Sequence, residues 1–122
     1  MIDAGLMRRG DVVLASMHFP SDPEESKVRP VVIIQNDVGN RFSPNVIVAT
    51  ISSQLPSRQY PTNLVVRRGS DVHAGTGLDR DSVVEAENIA TLSKTDISQR
   101  LGRFGEGAMR QIDACLRVSL GL

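Results

Sequence analysis

Val28-Arg29-Pro30-Val31-Val32-Ile33-Ile34-Gln35-Asn36-Asp37 is the stretch whose reading decides the fold. Residues 31 to 34 are all β-branched, stiff at χ1 and suited to a pleated surface, so the run reads as a buried strand. Pro30 has no N–H and belongs at the first position of that strand. The residue before a proline is pushed to extended geometry, which sets Arg29 at the strand's opening edge. An arginine there commonly snorkels to solvent. Its place at a strand mouth also makes it a candidate functional residue.

Upstream, Asp11–Met17 reads as a first strand, and 18–27 as a polar loop with two prolines and the acidic cluster Asp22, Glu24 and Glu25. Downstream, Asn36 to Pro44 is rich in turn residues with room for one helical turn. Asn45–Ser52 is the third strand and Thr62–Arg67 a fourth. Arg68–Leu78 is a glycine-containing loop. Asp81–Ala86 and Ala90–Lys94 read as two short strands or one bent one, and Ile97–Phe104 as a further segment. From Glu106 the period changes: Met109, Ile112, Cys115, Leu116, Ser119 and Leu120 recur at helical spacing, giving an amphipathic C-terminal helix. Short strands followed by one helix predict a mainly β fold with a C-terminal α-helix, a small antiparallel β-barrel or rolled sheet.

The 122 residues suit one domain with a single core. Fourteen lysines and arginines balance fourteen aspartates and glutamates, so the formal charge is zero. Proteins that hold nucleic acid by bulk charge carry a basic excess, so any such contact here is local. One cysteine, Cys115, rules out an internal disulfide and suits a reducing compartment. No apolar window reaches the roughly 18 residues that span a membrane, and Asp11 interrupts anything like a signal peptide after Arg8 and Arg9. The expected location is the cytoplasm, with no membrane partner.

The link between the second and third strands is short enough for an antiparallel connection. Pairing Val31 with Thr50 and Ile33 with Val48 then brings Arg29 beside Ser52 on one face. The loop carrying Glu24 and Glu25 leads into Arg29 at the same edge. An arginine, a hydroxyl and a carboxylate are expected to converge at one mouth of the sheet.

The run R-P-V-V-I-I-Q-N-D-V-G-N-R-F-S-P from Arg29, with Ile47-Val48-Ala49 and the S-x-Q of Ser52–Gln54, closely resembles the MazF/PemK family of toxin endoribonucleases. The likeness continues in Arg9-Gly10-Asp11-Val12, in Arg80-Asp81-Ser82-Val83 and in the ending Ser119-Leu120-Gly121-Leu122, so it covers residues 1–122 as one toxin domain. It implies a PemK/CcdB-type small barrel that acts as a homodimer, cuts single-stranded RNA such as mRNA at short sequences without a metal, and is neutralised by a cognate antitoxin peptide. It matches Arg29 to the family's catalytic arginine, Ser52 to its catalytic hydroxyl residue and Glu24 to a loop glutamate implicated in some members. Two departures stand out. The family more often has threonine at Ser52, and its loop often reads G-S-E-Q-x-G where this chain has Asp22-Pro23-Glu24-Glu25-Ser26-Lys27.

Metal-free cleavage uses the 2′-hydroxyl to attack phosphorus, leaving a 2′,3′-cyclic phosphate and a 5′-hydroxyl. Arg29, a planar fork of donors that stays protonated, suits the phosphoryl oxygens as an electrostatic clamp. Ser52 adds a donor, and Glu24 or Glu25 is the candidate base. Asn36, Gln54, Arg58 and His18 are candidate substrate contacts. With few aromatics, base readout falls to hydrogen bonds, through Gln54 or Asn36. His18 and His73 have no partners at ligand spacing, so no metal or other cofactor is expected. Ordinary readings stand beside these: a solvated acidic loop at Glu24 and Glu25, a turn-capping hydroxyl at Ser52 and a plain loop at Gly75-Thr76-Gly77. The alternative function is a non-catalytic toxin of the same shape that docks on a protein such as gyrase through its C-terminal helix.

Overall fold

The structure, a computed structural model, describes residues 7–19 and 22–122, with the side chains of all of these except 18, 19 and 22–26. The apolar run falls in a long strand, β2 (Asp22–Ile33), flanked by β1 (Asp11–Phe19) and β3 (Asn45–Ser52). With β4 (Asn63–Val66), β5 (Ser82–Ser93) and β6 (Ile97–Arg103) these form one antiparallel sheet in the order β4-β5-β3-β2-β1-β6. A short helix, α1 (Asp37–Phe42), joins β2 to β3, and α2 (Glu106–Leu120) ends the chain. The segment expected as two strands or one bent strand is the single strand β5.

The register between β2 and β3 is Val31↔Thr50, Val32↔Ala49 and Ile33↔Val48, as the apolar pattern requires. Both faces of the central strands are covered. Val32, Ala49 and Ile51 pack with α2 through Ala108, Ile112, Cys115 and Leu116, while Val31, Ile33, Val46 and Val48 pack with Met7, Met17 and Ile97 on the opposite face. A slip of one residue would exchange the two sets, so the register is strongly specified. The turn holds it as well. The Asn36 side chain caps α1 at Gly39 N–H, 2.8 Å, and buried Asn40 donates to the Gln35 carbonyl and to Asp37. Lys94 closes this network on the Asn40 carbonyl.

Of the expected loop at 18–27, residues 18, 19 and 22–27 are strand instead, while 20 and 21 lie outside the described residues. β1 and β2 continue as a ribbon, with Ser16↔Val28, Met17↔Lys27 and His18↔Ser26 in register. Backbone ladder bonds need no apolar side chains, so a polar sequence can extend a hairpin already set by the core. Arg29 and Pro30 are therefore inside β2, not at its start. Pro30 is tolerated there for a geometric reason. Gly10 N–H bonds to the Ile33 carbonyl on the β1 side, and Ile34 N–H to the Ile47 carbonyl on the β3 side. By alternation the nitrogen of Pro30 faces β3, beyond the last β2–β3 pair, so no ladder bond is lost.

The sheet is also not a closed barrel, because β4 and β6 are edge strands that do not pair. The 67–81 connection covers the β6 edge instead. Arg103 N–H donates to the Gly75 carbonyl at 2.9 Å, and a Cβ on Gly102 would stand 2.2 Å from that oxygen. With only four residues, β4 is too short to reach around, so the loop supplies the missing cover. The α2 stripe is buried at Ile112, Cys115 and Leu116, whereas Leu120 is 56% exposed. Among the described residues no helix is long and apolar enough to cross a membrane.

Candidate active site

Along β2 and β3 the inner row Ile33, Val31 and Val48 runs outward into Arg29, Thr50 and Ser52 by the period of two. Where the apolar row ends, a cleft of about 860 Å³ opens, lined by Arg29, Thr50, Ser52 and Gln54 from this side. Its far wall comes from β5. The β3–β5 register jumps from Ala49↔Ile89 to Thr50↔Glu85, so residues 86–88 have no partner on β3 and the strand bends around the cleft. Glu85, Glu87 and Asn88 line this wall, and Leu78, Asp79 and Arg80 close the rim.

Several of the polar groups in the cleft are engaged. Ser52 Oγ accepts the Gln54 N–H at 3.0 Å. The turn-capping reading of this serine is therefore right, and it serves the other reading: the bond fixes the rotamer and leaves the hydroxyl proton free to donate. Thr50 Oγ1 donates to Glu85 Oε1 at 3.0 Å. Asn63 Nδ2 donates to both oxygens of Glu87, at 2.9 and 3.1 Å. Arg80 is paired with Asp79 at 3.3 Å. Among the described residues Arg29 makes no ion pair and no side-chain hydrogen bond, so it is the uncommitted cation of the cleft. Among the same residues no three His, Cys, Asp or Glu side chains converge on a point that could hold a metal.

Of the residues singled out from sequence, Arg29, Ser52 and Gln54 are brought together here. Asn36 is not: its side chain is occupied as the cap of α1, which terminates the opposite end of β2. Arg58, exposed in the 53–62 loop, does not line the cleft. The side chains of Glu24 and His18 lie outside the described residues, although the backbone of both belongs to the β1–β2 ribbon. His73 stitches its own loop, since Nε2 meets the Leu78 carbonyl at 2.7 Å and Nδ1 accepts from Gly69 N–H at 3.3 Å. Sequence reasoning does not single out Thr50, Glu85, Glu87 or Asn88 as site residues. The one signal is Glu85, a charge set inside the apolar run Val83-Val84-Glu85-Ala86.

The arrangement is thus a small antiparallel sheet backed by one helix, with an oriented hydroxyl and an arginine unpaired among the described residues at the mouth of one face. The family model of PemK-like, MazF-like toxins of type II toxin–antitoxin systems matches residues 8–120, and the chain belongs to that family. It is 38% identical over 117 residues to the Endoribonuclease MazF of Staphylococcus saprophyticus, covering 96% of this chain and 93% of that one. Among solved structures, it is similar to an endoribonuclease from a Mycobacterial species, with a TM-score of 0.75 at 24% identity over 100% of this chain and 96% of that one. It is equally similar in fold to a Mycobacterial endoribonuclease in complex with its cognate antitoxin: TM-score 0.75, 23% identity, 95% and 96% coverage.

Proposed function

We propose that this protein is a sequence-selective endoribonuclease toxin that cuts single-stranded RNA without a metal, and that residues 1–122 act as one toxin domain. The observation that carries the reading is one cleft that holds both Arg29, uncommitted among the described residues, and a Ser52 hydroxyl pre-oriented by Gln54 N–H. Family membership and the named endoribonuclease relative support it.

In the proposed reaction the 2′-oxygen attacks the adjacent phosphorus, and the bond to the 5′-oxygen of the next nucleotide breaks. The 2′-proton passes to a base and a proton reaches the leaving oxygen, so the products are a 2′,3′-cyclic phosphate and a 5′-hydroxyl. Negative charge grows on the non-bridging oxygens, where the Arg29 fork and the Ser52 proton donate. Glu24 is the proposed base, and Gln54 a proposed base contact. Arg58 and His18 remain outer candidates for the flanking strand, whereas Asn36, held as the cap of α1 at the far end of β2, is not among them. A homodimer working in the cytoplasm, and a cognate antitoxin whose acidic segment competes for Arg29, complete the proposal.

The test is incubation of the purified protein with long single-stranded RNA in EDTA, followed by mapping of both product ends. Discrete cuts with cyclic phosphate and 5′-hydroxyl ends are expected, and a folded Arg29→Ala protein should leave the RNA intact. Undiminished cutting by Arg29→Ala would sink the assignment. RNA left whole by the wild type would turn attention to the alternative, a protein-binding toxin that docks through the exposed end of α2.

A further inference from the structure

Glu85 has no place in the cleavage chemistry above, yet it stands in the same cleft. Through the β3–β5 register it lies directly across from Thr50, two residues along from the Ser52↔Val83 pair. Diagonal neighbours across a sheet are roughly 7–8 Å apart, so its carboxyl group lies within one nucleotide's reach of the phosphate that Ser52 and Arg29 would hold. The partner of Glu85 is a neutral hydroxyl, not a cation: Thr50 donates to Oε1 and leaves Oε2 with no described partner. Glu87, further along the wall, is filled on both oxygens by Asn63. Glu85 therefore offers open acceptor sites beside the reacting position.

Resting on the nuclease reading, we infer that Glu85 is a specificity-determining residue that accepts hydrogen bonds from the donor edge of the base next to the cut phosphate. A carboxylate accepts and does not donate. Guanine suits it best, since N1–H and the N2 amino group present adjacent donors; cytosine and adenine offer one amino group each. Uracil has a single N–H between two carbonyl oxygens, which would face the carboxylate without a proton. A phosphate is repelled from the same spot, which keeps the backbone on the Arg29 side. Scarce aromatic side chains make hydrogen-bond readout the main available means of base selection.

The test maps cut sites on one long single-stranded RNA for the wild type and for Glu85→Gln, which preserves size and the bond from Thr50. The wild-type motif should carry guanine, or another amino-bearing base, beside the cut. In Glu85→Gln, whose amide N–H can meet a carbonyl, uracil should be admitted at that position. Cutting at the original motif should fall on the order of 10- to 100-fold, the span expected for one good base contact. Should Glu85→Gln fail to fold, Glu85→Ala serves, with cutting that no longer distinguishes the four bases there. A wild-type motif with uracil on both sides of the cut, or an unchanged motif in both variants, overturns the inference while leaving the nuclease intact. An unchanged motif with a greatly slowed rate and a flattened pH profile would instead make Glu85 the base, and also overturns it. RNA left whole by the wild type removes the nuclease reading and this inference together.

Discussion

Arg29 and Ser52 divide the work by chemical type: one is a fixed charge with several donors, the other a single donor held in place by the backbone. Removing a preorganised donor of this kind typically lowers the rate by about 10² to 10³. Arg29→Ala is expected to lose at least that much cleavage while its melting temperature holds, because the side chain is exposed and unpaired among the described residues. Ser52→Ala should show a loss of the same order, and Ser52→Thr should retain cutting, since the added methyl only narrows χ1. A fluorescent RNA cleavage assay beside a thermal melt checks all three. Cys115 makes a prediction of another kind. Burial pushes its thiol up, and the nearby Glu87 charge adds to this. The thiolate is the reactive form, so Ellman's reagent at neutral pH should label Cys115 only after denaturant is added.

At the scale of elements, the site depends on two junctions. The first is the entry to β1. There Arg9 bonds to Asp113 at 2.7 Å and to the Ile34 carbonyl at 2.8 Å, while its backbone N–H goes to Asp37. That backbone bond, with help from Asn40 and from Arg103 and Arg8, holds the Asp37 carboxyl below its ordinary value. A carboxylate depressed on folding contributes stability above its unfolded pKa, roughly 3.9, and loses it as pH falls through the lower folded value. Asp37→Asn should therefore be less stable than the wild type at pH 7, with the gap closing as pH falls below about 4. Urea titrations at both ends of that range would show it; a gap that stays constant would count against it. The second junction is the loop on β6. Gly77 has φ +73° and a Cβ there would stand 2.2 Å from the Leu101 carbonyl, as close as the Gly102 contact to Gly75. Overpacking at such a point costs typically 1–3 kcal/mol, so Gly102→Ala should lower the unfolding free energy measured in urea by that much and loosen Leu78 at the cleft rim.

Across the whole molecule the sheet is covered on both faces, and α2 is the cover on one of them. Ile112 is fully buried against Val32, Ala49 and Ile51, so Ile112→Ala should cost about 2–5 kcal/mol. Leu120→Ala, at an exposed position, should stay within about 0.5 kcal/mol. Equilibrium unfolding in urea separates the two. Equal losses would mean that Leu120 is buried in solution by a second molecule, which sedimentation at micromolar concentration would then reveal.

Local signals in the amino-acid sequence are enough to specify the strands carrying apolar runs, the β2–β3 register and the terminal helix. Alternation and helical spacing act over a few residues, and a register with both faces buried admits one solution. For the same reason the apolar pattern alone sets Arg29 and Ser52 at the mouth of one face. The remainder depends on contacts made in three dimensions. The ribbon formed by residues 18, 19 and 22–27 carries no apolar pattern, because its ladder is made by backbone groups common to every residue. Closure by the 67–81 connection instead of strand pairing rests on glycines that let two backbones touch. Glu85 reaches the cleft only because β5 breaks register at Ile89 and bends, bringing together residues that lie 35 positions apart in the chain.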